Sequence, residues 1–218
     1  MRSLAEPRVL LRASLAGALT ALACYPRLAH WTRREDDVWF LVAVAAWAGF
    51  VMWAAVFAWH ERHGGGEVFP KQIPVRLWLA ALALGASGAV VSFFWGDPLL
   101  RRLAPTDFPH NASTWLEHLL FNLALDQLVL CFAPIAFFVR LLPGVKTAAA
   151  ATVVFSLLVF GLKLRGVAHD LAPALVLGLV GFRALHSAVT VWLYLRGGVW
   201  LTWLFALMLQ ARHWFAFN

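Results

Sequence analysis

VWFLVAVAAWAGFVMWAAVFAW, residues 38–59, is the stretch that decides the fold. It holds no charged residue and no proline. Coiled as an α-helix it is about 33 Å long, which matches the roughly 30 Å hydrocarbon core of a bilayer. Trp39 and Trp59 stand at its two ends, where interfacial aromatics belong. The charged run Arg33-Arg34-Glu35-Asp36-Asp37 precedes it, and a loop from His60 to Glu67 with three glycines, Gly64 to Gly66, follows.

Working outward, the same pattern recurs. Residues 9–25 form an apolar run that Pro26 is expected to stop, with Arg12 placed to snorkel from its end. Ala21 stands where a lipoprotein signal ahead of Cys24 would need Leu, so this run reads as an uncleaved first helix. Residues 75–95 form a third span, with Gly85, Ser87 and Gly88 small enough for close helix contact. Residues 97–113 read as a polar connection with a short amphipathic piece at 99–103. Within it, Asn111-Ala112-Ser113 matches a glycosylation sequon that lies against a span. Residues 114–142 exceed the length needed to cross, and Pro134 predicts a kink. A short run at 147–162 follows, rich in Ala and Val and closed by Lys163 and Arg165. Residues 171–196 are one long tilted helix or a broken one, and a last helix covers 199–217.

Composition agrees. Hydrophobic residues make up 62% of the 218-residue chain, charged residues 13%, and mean hydropathy is +0.74. A soluble domain of this size has no core large enough to hide that much apolar surface, whereas lipid covers it from outside. The expected fold is therefore all-α: one polytopic integral membrane bundle of about seven transmembrane helices over residues 1–218, with three N-terminal spans in 1–113. A bacterial inner membrane is the expected location. The formal net charge of +7 comes from Lys and Arg scattered singly or in pairs between apolar runs. That distribution fits lipid headgroups and argues against a nucleic-acid partner. The basic residues divide almost evenly over alternate connections, so they assign no orientation. The two cysteines, Cys24 and Cys131, fall in separate apolar runs and read as small hydrophobes.

Ionisable groups inside a span are costly and mark function or helix contact. Residues 114–142 hold the densest set: Glu117, His118, Asn122, Asp126 and Gln127. His118, Asn122 and Asp126 recur at i, i+4 and i+8, so a regular helix puts them on one inward face. Arg183, His186, Gln210, Arg212 and His213 form a second set. Imidazole and carboxylate are zinc ligand types, so His118, His186 and His213 with Asp126 are candidate metal ligands. Interhelical pairing, with Asp126 bonded to Arg183 or to a histidine, accounts for the same residues without a metal.

The C-terminal half, residues 114–218, resembles the CAAX-protease and bacteriocin-processing (CPBP) family of intramembrane metalloendopeptidases. The stretch Leu193-Tyr194-Leu195-Arg196-Gly197-Gly198-Val199-Trp200 is similar to that family's Leu-Tyr-x-Arg-Thr-Gly-Ser segment. The order from Asp126 to Phe160, with a basic turn at 140–146 and an Ala-rich helix carrying Phe155, is similar as well. The resemblance implies a Glu-Glu-x-x-x-Arg motif whose Glu activates water, a Phe-x-x-x-His motif, and a final His-x-x-x-Asn. Here Asp126-Gln127 fill the first motif, with Cys131 in its Arg position. Val159 stands where the second needs His, and the third falls near Leu207, or on His213 with Phe217 in place of Asn. Glu117-His118 and the literal Phe182-Arg183-Ala184-Leu185-His186 echo the motifs out of order.

The expectation is a family scaffold without a working protease centre, acting as a binding or accessory subunit beside other integral membrane proteins and lipids, with no cofactor. The first alternative is an active metalloprotease with a rearranged site. Its base would be Asp126 or Glu117, and His118, His186 and His213 would hold Zn²⁺ or another divalent metal. The second is a small transporter or cofactor-binding subunit.

Overall fold

The structure, a computed structural model, describes residues 6–32, 34–63, 67–103, 105, 108–165 and 171–216. The triple glycine at 64–66, and Arg33 and Phe217, lie outside the described residues. Among the described residues, six helices are long and apolar enough to cross a membrane. The first, α1, is Pro7–Trp31, and α2 is Glu35–His63. The third, α3, is Val75–Val91, prolonged by a π-helical turn, Ser92–Gly96, into the helical stretch Asp97–Leu103. The fourth, α4, covers Ala112–Leu141 and α5 covers Val145–Leu164.

The sixth is helical over Pro173–Ala211 except at Gly197 and Gly198, whose backbone leaves the helical region. Those two residues reverse the chain. The rings of His186 and Phe205 stack with centroids 5.3 Å apart, whereas a straight helix would hold residues 186 and 205 about 28 Å apart. Residues 173–196 are therefore one helix, α6, and 199–211 an antiparallel partner, α7, which ends in the 3₁₀ turn Arg212–Ala216. With that turn α7 is about 30 Å long, enough to cross. Counted this way, the described residues hold seven helices long enough to cross a membrane.

The turn explains its own glycines. Gly198 has φ +64 and ψ −153, a region open to glycine alone. A Cβ there would lie 2.4 Å from the Val68 carbonyl oxygen. That oxygen accepts a hydrogen bond from the Val199 N–H at 3.1 Å, which supplies one of the donors left open at the start of α7. The segment after α2 is thereby pinned under the α6–α7 turn, with Val68 buried.

Two expectations change. Pro26 does not end α1, which continues to Trp31. Inside a membrane a helical backbone is the cheapest way to satisfy polar groups, so one lost hydrogen bond is tolerated. In α4 the chain passes through two π-helical segments, Asn122–Asp126 and Leu128–Phe132, before Pro134 sits in the first turn of Ala133–Leu141. The wide turns just before the proline take up the donor it lacks and the room its ring needs.

Packing is closest where small residues allow it. Gly17 of α1 lies so near α2 that a Cβ would meet the Phe50 nitrogen at 2.6 Å and the Ala46 oxygen at 2.9 Å. Trp53 Nε1 donates across the same pair to Thr20 Oγ1 at 3.0 Å. Gly85 and Gly88 bring α3 against Met208 and Leu209 of α7. The main core joins α1, α2, α4, α6 and α7 around Trp53, Phe132 and Tyr194. Phe132 stacks on Tyr194 at 4.7 Å, and the Tyr194 hydroxyl is 2.9 Å from His60 Nε2.

Candidate functional site

The polar groups of the membrane interior gather on one side of α4. Its bulged middle turns Asn122, Asp126 and Gln127 toward α6, from which Arg183, His186, Ser187 and Thr190 face back. Ser156 of α5 closes the third side. Between them lies a void of about 40 Å³. A larger one of about 220 Å³ adjoins it, walled by Trp95 and Asp97 of α3, Phe182 of α6, and Leu209, Gln210 and Arg212 at the end of α7. Asn122, Arg183 and His186 line both. These adjoining voids, together the chamber, are narrow in the membrane interior and wider toward the end of the bundle that carries Asp97.

Hydrogen bonding fixes its walls. Arg183 Nη2 donates to Ser156 Oγ at 2.9 Å, and Ser187 Oγ donates to the same oxygen at 2.8 Å. Arg183 Nη1 is 3.4 Å from His186 Nδ1. Arg183 Nε is buried with no acceptor. Asp126 accepts from Asn122 Nδ2 at 3.3 Å; it faces Arg183 across the narrow void and acts on it through space, with no hydrogen bond between the two. At the wide end Arg212 grips Asp97 with two bonds, Nε to Oδ2 at 2.9 Å and Nη2 to Oδ1 at 3.2 Å. Both partners are largely buried. This bidentate pair ties the end of α7 to the end of α3.

The candidate residues fall in three places. Asp126, Asn122, Gln127, Arg183, His186 and Gln210 line the chamber. Glu117 faces α1, where its Oε2 is 3.2 Å from His30 Nδ1. His213 packs edge-on to Phe108 at 5.6 Å, and its Nδ1 is 3.8 Å from Asp97 Oδ2. His118 lies within electrostatic reach of His213 and lines neither void. The stripe expected from i, i+4 and i+8 is therefore divided. Asn122 and Asp126 stay side by side, while His118 lies one regular turn nearer the helix start, outside both voids and near His213. Among the described residues no three His, Cys, Asp or Glu side chains come together as metal ligands would.

Sequence reasoning missed Ser156, Ser187 and Thr190. A serine or threonine in an apolar run more often bonds a carbonyl of its own helix, as Thr152 does to Ala148, so its residue type carries no signal. Asp97 was also missed as a site residue, because it reads as part of a connection. It is 4% exposed. Comparison of the chain with protein-family models, curated proteins and solved structures finds no match.

Proposed function

We propose that this chain is a non-catalytic integral membrane protein on a CPBP-like scaffold, acting as a binding or accessory subunit beside other membrane proteins in a bacterial inner membrane. The observation that carries the reading is the dispersal of the acidic and imidazole groups. A metal-assisted hydrolase needs two or three ligands and a base around one point. Here Glu117 is engaged with His30, His213 sits beside Asp97 outside the chamber, and His186 is stacked on Phe205. Binding fits side chains held apart beside separate neighbours better than turnover does.

Crosslinking in native membranes, followed by purification, tests this. The expected result is recovery with a defined set of integral membrane proteins. Isolation as a lone monomer with metal-dependent peptidase activity, lost in His186→Ala, overturns it. A ligand-binding subunit is a second reading with an observation of its own, the chamber between α3 and α7.

A further inference from the structure

We propose that the chamber is the binding site for a small organic carboxylate carried on a short apolar body. The inference rests on the second reading above and adds the chemistry of the ligand.

The size of the wider void sets the first limit. At about 220 Å³ it falls below the roughly 300 Å³ at which drug-sized pockets begin, so its occupant is small. The wall sets the second. Trp95, Phe182 and Leu209 supply apolar and aromatic surface, and a few polar groups converge on it, the pattern of a small-molecule site.

Charge sets the third. Among the described residues, two cations and one anion line the wider void. Asp97 and Arg212 are committed to each other through two hydrogen bonds. Arg183 is the cation with no hydrogen-bonded anion, and its Cζ lies 6.0 Å from the centre of the Phe160 ring. Its two terminal nitrogens reach only neutral partners, Ser156 and His186, and its Nε has no acceptor. Asp126 lines the narrow void only, accepts from Asn122, and reaches Arg183 through space alone, without a hydrogen bond. A guanidinium held this way in a low-dielectric interior is short of one anionic acceptor, and a carboxylate matches its fork. A neutral polar ligand leaves the guanidinium without a hydrogen-bonded anion, and a second cation is repelled.

Calorimetric titration of the full chain in lipid nanodiscs with hexanoate and with its neutral isostere hexanamide tests the idea. Hexanoate is expected to bind at least about tenfold tighter than hexanamide, the difference made by a charged hydrogen-bond partner. Arg183→Gln is expected to abolish that preference, and Arg183→Lys to retain part of it. Because Arg183 also braces Ser156, a second variant blocks the chamber without touching the charge. Gly96 lines the wider void, and a Cβ built on it meets nothing within 4 Å. Gly96→Leu should remove hexanoate binding and leave the thermal midpoint unchanged. Equal binding of the two probes in the wild type, abolished by Gly96→Leu, overturns the carboxylate and leaves a ligand chamber standing. Binding of neither probe, or binding unaffected by Gly96→Leu, overturns the chamber as a ligand site and leaves the accessory-subunit reading untouched.

Discussion

At the scale of single residues, Gly197 and Gly198 decide more than any ionisable group. They turn what would be one helix too long for the bilayer into two that fit it. The reversal depends on a backbone region that other residues avoid, and on the close approach of the Val68 carbonyl. Gly198→Ala should therefore cost about 1–3 kcal/mol in backbone strain alone, with the steric conflict against Val68 added. The matched control is Gly181→Ala in α6, where a Cβ meets nothing within 4 Å. That change should be neutral or stabilising by up to about 1 kcal/mol, since alanine is the better helix former. Thermal denaturation of the two variants in detergent separates them: the midpoint should fall in the first and hold or rise in the second. Similar midpoints would show that the turn is not held in the conformation described.

At the scale of elements, the spans were legible because each needs a long run of apolar residues, and nothing but a helix satisfies the backbone along such a run in lipid. Their ends and irregularities were less so. Pro26 reads as a stop in any sequence, yet α1 passes through it. The π-helical turns of α4 leave no residue signature, and periodicity alone does not say that the voids take in Asn122 and Asp126 and leave out His118, one turn before them. The candidate site was thus half legible. Its charged members stood out by their cost in a membrane, while Ser156 and Ser187, which position Arg183, did not. The contact between α1 and α2 offers a sharper test of how elements are joined. Gly17 faces backbone atoms of α2 that have no freedom to move aside, whereas a Cβ on Gly49 would meet Gly17 Cα at 3.2 Å. Gly17→Ala should cost about 1–3 kcal/mol as the helices are forced apart, and Gly49→Ala distinctly less. Unfolding by graded addition of sodium dodecyl sulfate reads this as the order of the two midpoints. The reverse order would mean that the helices meet elsewhere.

At the scale of the whole molecule, the number of passes fixes where the two termini lie. Contacts sort the connections into two ends. Arg12 meets Glu61, His60 meets Tyr194, and Val68 meets Val199 at one end, while His30 meets Glu117 and Asp97 meets Arg212 at the other. Following α1 to α7 through these contacts, the first helix begins at the former end and the last finishes at the latter. An uninterrupted sixth helix would instead return the C-terminus to the side on which the chain began. Exposed single-cysteine sites distinguish the two arrangements, since Cys24 and Cys131 are buried and should stay silent to a membrane-impermeant maleimide. Lys71→Cys and Lys146→Cys should label from one side of the membrane, Asn111→Cys and Arg165→Cys from the other. A reporter fused after Asn218 should share the side of Asn111. A reporter on the side of Lys71 would remove the α6–α7 turn, and with it the wall that Leu209, Gln210 and Arg212 give to the chamber. The topology experiment therefore bears on the site as directly as any substitution within it.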